Sequence, residues 1–177
     1  MSKILIYLRL PVLTIAVACL SAAQTPQSQP ATATPAPATL AIKGDIPSPL
    51  TLTAQDLAAM PRETASVTEE DGSKVVYEGV LLREVMARAG APTGSKLRGK
   101  SLASYIVAHA HDGYQVVFTL GELDASFGNT QILVADKRDG KPLFGYQGPL
   151  RLVCPNDKAG ARSVRMLESL EFVRLSK

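Results

Sequence analysis

From Leu40 onward, apolar and polar residues change places with two different periods. Leu40 and Ile42 alternate with Ala41 and Lys43, the two-residue repeat of a strand. Thr53 precedes Gln55-Asp56-Leu57-Ala58-Ala59-Met60, which predicts a short helix with Thr53 as N-cap and Pro61 as its stop. Glu63 to Glu70 alternates weakly, Asp71-Gly72 turns the chain, and Lys74-Val75-Val76-Tyr77 returns as the second arm of a hairpin. The clearest helical pattern runs from Gly79 to Gly90. Val80, Leu81, Leu82, Val85, Met86 and Ala89 share one face, Arg83, Glu84 and Arg88 the other, and Gly90 caps the end ahead of Pro92.

Further strands are predicted at Leu102 to His109 and Tyr114 to Leu120, joined by Asp112-Gly113, and at Ile132 to Ala135 before an Asp139-Gly140 turn. Leu150 to Cys154 and Leu170 to Leu175 are also strand-like, and they bracket a Gly-rich basic stretch, Asn156 to Arg165. Many short strands without regular strand–helix alternation place the chain in the α+β class, with a mixed, curled β-sheet and a few peripheral helices.

Ahead of this domain the pattern changes. Lys3 and Arg9, the apolar run Leu10 to Leu20 and the small residues Ser21, Ala22 and Ala23 follow the order of an export signal cut before Gln24. Ala16-Val17-Ala18-Cys19 also resembles a lipoprotein box, in which Cys19 is the lipidated first residue. Gln24 to Thr39 has no charge and no apolar period, and Pro26, Pro30, Pro35 and Pro37 stiffen it as a tether. The expected organisation is therefore signal peptide 1–23, Pro/Ala/Thr-rich tether 24–39 and a single domain 40–177, in a periplasmic or secreted protein that lipid on Cys19 would anchor to a membrane.

Lys3 and Arg9 account for two of the 19 basic residues, so 17 remain against 16 acidic ones. That near-neutral balance, with its cations dispersed among carboxylates, excludes a nucleic-acid partner. Only Cys154 lies within the domain, so no disulfide can staple it. By strand alternation Cys154 shares a face with Leu150 and Leu152, which reads as a buried, inert thiol and not as a ligand.

Gly148-Pro149-Leu150-Arg151-Leu152-Val153-Cys154-Pro155 is followed by Gly160-Ala161-Arg162-Ser163-Val164-Arg165. Two glycine loops and three arginines beside strand ends are the means by which backbone N–H groups and guanidinium forks surround an anion; solvated surface arginines are the other reading. These two segments, with Tyr77-Glu78-Gly79-Val80-Leu81-Leu82, Asp112-Gly113-Tyr114 and Ile132-Leu133-Val134-Ala135, resemble the molybdopterin-binding domain of the sulfite oxidase superfamily over residues 40 to 175. The resemblance implies a β-rich fold, a periplasmic or extracellular setting and a molybdopterin cofactor. It places Arg162, Ser163 and Arg165 on the segment that helps hold the pterin and its phosphate, with Arg165 where Lys is usual and Met166 where Trp is usual.

In active members a Cys thiolate binds molybdenum from the part of the chain corresponding to Glu63 to Glu70. Here no Cys occurs between Leu20 and Val153, and a hydroxyl is no substitute for a soft thiolate. No catalytic residue is assigned. His109 and His111 fall on one side of a strand beside Asp112 without an evident third ligand, so no metal site is assigned either. Glu69, Glu70 and Asp71 read as a solvated hairpin tip, and hydrolase, P-loop and zinc-protease motifs are absent. Two functions are consistent with this: an exported, non-catalytic or cofactor-altered module binding a small anion, ligand or envelope partner, or a periplasmic molybdopterin-dependent oxidoreductase.

Overall fold

The computed structural model of the chain describes residues 38–69 and 71–175. The expected signal segment 1–23, with Cys19, and residues 24–37 of the expected tether lie outside them. Thr39, the last residue assigned to the tether, already opens the first strand.

The chain runs β1 (Thr39–Gly44), β2 (Leu50–Thr53), α1 (Ala54–Ala58), β3 (Glu63–Thr68), β4 (Lys74–Leu81) and α2 (Leu82–Arg88). It continues through β5 (Ser104–Ala110), β6 (Gln115–Thr119), α3 (Leu120–Leu123), β7 (Leu133–Arg138), β8 (Lys141–Pro142), β9 (Arg151–Val153) and β10 (Leu167–Arg174). The strands divide between two open five-stranded sheets, one ordered β2-β1-β10-β5-β6 and the other β3-β4-β7-β8 with β9 also on β7. Strands β1 and β10 pair in parallel, bringing the first and last strands side by side. The architecture is the expected α+β one, with mixed sheets and three short α-helices.

The main core draws Ile42, Ile106, Phe118 and Phe172 from the first sheet and Val80, Val134 and Leu152 from the second. Burial of such side chains is the principal stabilising contribution, about 1.5–3 kcal/mol for each large aliphatic or aromatic group. A smaller cluster, including Tyr77, Leu133, Ala135, Leu143 and Val153, covers the other face of the second sheet. That sheet is therefore apolar on both faces.

This two-sided burial corrects the expected helix from Gly79 to Gly90. Gly79, Val80 and Leu81 belong to β4, opposite Ala135, Val134 and Leu133, and helix α2 starts only at Leu82. A strand buried on both faces is a continuous apolar run, which periodicity cannot tell from a helix. Gly79 is needed for that pairing, because a Cβ there would stand 2.1 Å from the Val134 carbonyl oxygen. The end of the helix is as expected: Gly90 adopts φ +88°, and Leu82, Val85 and Met86 are buried. Thr53 caps α1 and shares a capping box with Asp56. The expected strand Tyr114 to Leu120 ends at Thr119, whose hydroxyl accepts the Glu122 N–H and starts α3.

Candidate functional site

Both ends of β9 and the turn of the β3–β4 hairpin meet the loop 155–165 around a cleft of about 990 Å³. It adjoins a hollow of about 250 Å³ lined by Asp112, Tyr114 and Tyr146, and the two share Gly160, Ala161, Ser163 and Arg165. Arg138, Arg151, Lys158 and Arg165 bring positive charge to the larger space, and Glu69, Asp71 and Asp157 bring negative charge.

Arg151 is the unusual member. It alternates with Leu150 and Leu152, so when those enter the main core it points to the opposite face, where it is 6% exposed. Its Nη1 donates to the Tyr77 hydroxyl at 2.7 Å and to Gln147 Oε1 at 2.5 Å, and its Nε has no partner. Among the described residues it forms no ion pair. Burial lowers its pKa, yet a guanidinium stays protonated in proteins, so the cleft contains a buried cation whose direct hydrogen-bond partners are neutral. Tyr77 in turn donates to Glu69 Oε1 at 2.9 Å, and burial, with that hydrogen bond, raises the pKa of its phenol.

Of the three residues expected on the anion-binding segment, Arg165 and Ser163 line the cleft and Arg162 does not. Arg165 places its guanidinium 4.5 Å from the centre of the Tyr146 ring and forms no ion pair among the described residues. Ser163 Oγ accepts the backbone N–H of Cys154 at 3.1 Å. Arg162 is bidentate on Asp157, with Nε and Nη2 at 2.7 and 2.9 Å, and its Nη1 lies 3.5 Å from Glu122. Its hydrogen bonds to Asp157 raise its own pKa and lower that of Asp157. Arg162 is thus occupied in fastening the loop 157–162, while Val164 is buried beside it.

Cys154 is 6% exposed at the end of β9, and burial pushes its thiol pKa up to about 12. Its Sγ–H is directed to the Arg162 carbonyl at 3.5 Å. His109 faces Glu171 and His111 faces Glu168, on neighbouring strand β10, and among the described residues no group of three or more His, Cys, Asp or Glu gathers as metal ligands. One residue of the hairpin tip is a correction: Glu69 lines the cleft, accepts from Tyr77 and lies 3.9 Å from Arg138, whereas Asp71 is exposed as expected and Glu70 lies outside the described residues.

Sequence reasoning noted Arg151 but did not assign it, and it missed Tyr77, Glu69, Arg138 and Gln147. One signal was present: Arg151 sits inside a short apolar run, Leu150 to Val153, of the kind that marks a strand covered on both faces. Gln147 lies only four residues before Arg151, whereas Tyr77, Glu69 and Arg138 reach the cleft from the β3–β4 hairpin and β7, Tyr77 across a separation of 74 residues.

The family model described as "Oxidoreductase molybdopterin binding domain" matches residues 64–176, a span that includes every cleft residue named above. The sulfane dehydrogenase SoxCD from Paracoccus pantotrophus has a similar fold, with TM-score 0.59 and 22% identity over 76% of this chain and 37% of that one. The chain thus spans little more than a third of that protein's length. No curated protein matches the chain. On the extent of the family match, the chain belongs to the oxidoreductase molybdopterin-binding domain family.

Proposed function

We propose that the domain is an exported binding module whose cleft holds a small anion, and that it has departed from molybdenum redox chemistry. One observation carries this reading: Arg151 is a buried cation with an orphaned Nε and no carboxylate partner among the described residues, in a cleft that also offers Arg165 and Lys158. Charged groups are buried in proteins when something pairs with them, and the missing partner here is an anion. Hydrogen bonds from charged donors contribute about 1.5–3 kcal/mol each, enough for two or three of them to give specific binding.

The cofactor implied by the family can be tested against the donors present. Arg151, Arg165, Lys158 and Ser163 suit the phosphate of a pterin. The thiolate that would bind molybdenum is not supplied. The hairpin segment resembling its usual position brings Thr68 and Glu69 to the cleft, and Cys154 has a thiol pKa of about 12 and its sulfur turned to a carbonyl. The residues fit an anionic pterin and do not fit a thiolate-ligated metal.

The test is metal and pterin content of the protein made in a host that synthesises and exports the cofactor. Negligible molybdenum, together with saturable phosphate or pterin-phosphate binding that weakens as salt is raised, is the expected result. Stoichiometric molybdenum would instead establish the oxidoreductase reading that the family match favours. Finding Met1 on the native protein would overturn export.

A further inference from the structure

Tyr77 stands between two opposite charges. Its hydroxyl donates to Glu69 Oε1 at 2.9 Å and accepts from Arg151 Nη1 at 2.7 Å, and its side chain is wholly buried. Other sheltered guanidiniums in this chain take carboxylates directly: Arg62 is bidentate on Asp136, with Nη1 and Nη2 at 2.8 and 2.5 Å, and Arg162 is bidentate on Asp157. A charged pair of that kind is stronger than a bond to a neutral acceptor. Arg151 has a carboxylate one phenol away and does not pair with it. Its other acceptor, the Gln147 amide, is also neutral. Glu69 also has Arg138 close by, whose Nη2 lies 3.9 Å away.

We propose that Tyr77 is the positioning residue of the cleft: a neutral spacer that holds Glu69 off Arg151 and keeps that guanidinium unneutralised for an incoming anion. The inference rests on the anion-site reading above and adds how the site stays vacant of the protein's own carboxylate. Tyr77→Phe keeps the ring that packs in the second core cluster and deletes only the bridging hydroxyl. Glu69 and Arg151 are then free to close on each other, and the closed pair competes with the ligand.

Two measurements on the full chain separate the alternatives. In calorimetric titration with inorganic phosphate, Tyr77→Phe binds at least tenfold more weakly than wild type, and adding Glu69→Gln restores binding to near that of Glu69→Gln alone. In thermal melts, the coupling between Glu69→Gln and Arg151→Met is larger in the Tyr77→Phe background, where the two charges meet directly, than with Tyr77 present, where they share only its hydroxyl. Unchanged phosphate affinity in Tyr77→Phe, a double variant as weak as the single one, or equal coupling in both backgrounds would overturn the spacer role. Absence of phosphate binding to wild type, with coupling that still appears on loss of the hydroxyl, would remove the anion-site reading and leave the spacer geometry standing.

Discussion

Arg151 places its guanidinium carbon 5.0 Å from the centre of the Tyr77 ring, and its Nη1 hydrogen-bonds the hydroxyl of the same side chain. One aromatic residue thereby provides both contacts that a buried cation accepts without losing its charge: a π face and a neutral oxygen. The cost of desolvation is offset only in part, as the partnerless Nε shows.

Replacing Arg151 by Met removes that cost and fills similar volume. Arg151→Met is expected to melt at or above the wild-type temperature, because an unpaired buried charge is exchanged for apolar surface. Phosphate binding is expected to fall at least tenfold in the same protein. Thermal denaturation and calorimetric titration of the two proteins check both; a large loss of stability would show that the guanidinium is structural.

His111 tests electrostatics away from the cleft. Its hydrogen bond to Glu168 is the main cause of its raised pKa, with Glu168 charge next. A folded pKa above the unfolded one means that the pair favours the folded state below the ordinary His value of about 6.5, and that this is lost as pH rises through the folded value. NMR titration should place the His111 midpoint above 6.5, and Glu168→Gln should bring it down. An unchanged midpoint in Glu168→Gln would show that the pair does not persist in solution.

The two periods in the sequence were sufficient for most of the first sheet and for the hairpin, because β1, β5 and β10 each present one face to the core and alternate accordingly. The second sheet was harder to read. Its strands are covered on both faces, so Val80-Leu81-Leu82 carried no alternation and passed for the start of a helix. The site followed the same division. A local glycine-rich motif and the resemblance it carries point to Ser163 and Arg165, which line the cleft, whereas the Tyr77–Arg151 pair joins strands 74 residues apart and leaves no local trace. Arg162 has the same residue type and motif as a ligand-binding arginine; only the position of Asp157 shows that its fork is already filled.

Cys154 gives a chemical probe of the cleft wall. A thiol with pKa of about 12 is ionised to only about one part in ten thousand at pH 8. The thiolate is the reacting species, and this one is also screened from solvent. In a Cys19→Ser protein, an aromatic disulfide reagent should leave native Cys154 unmodified for hours and titrate it fully in denaturant. Rapid modification of the native protein would show a reactive thiol and reopen the question of a sulfur ligand.

Arg162 and Asp157 form the contact that fixes the loop over the cleft, and their partial burial lets them outweigh an exposed ion pair. Removing either partner breaks two charge-assisted hydrogen bonds: without Arg162 the Asp157 carboxylate is part-buried and unpaired, and without the Asp157 charge Arg162 keeps only its longer contact to Glu122. Arg162→Ala and Asp157→Asn are each expected to cost about 1–3 kcal/mol. The double variant should cost little more than one of them, since the second substitution removes a group that has already lost its partner. The lowered pKa of Asp157 sets the pH dependence: the contribution is present above its unfolded value of about 3.9 and is lost as pH falls through the lower folded value. Stability difference between wild type and Asp157→Asn should therefore be constant from neutral pH to about pH 5 and shrink below pH 4. Phosphate affinity reports the loop: if Gly160 and Ala161 line the cleft because Arg162 anchors them, both single variants weaken binding, Asp157→Asn somewhat less because it also removes a negative charge from the cleft. Unequal losses, with Arg162→Ala far the larger, would mean that this guanidinium leaves Asp157 to meet the anion itself.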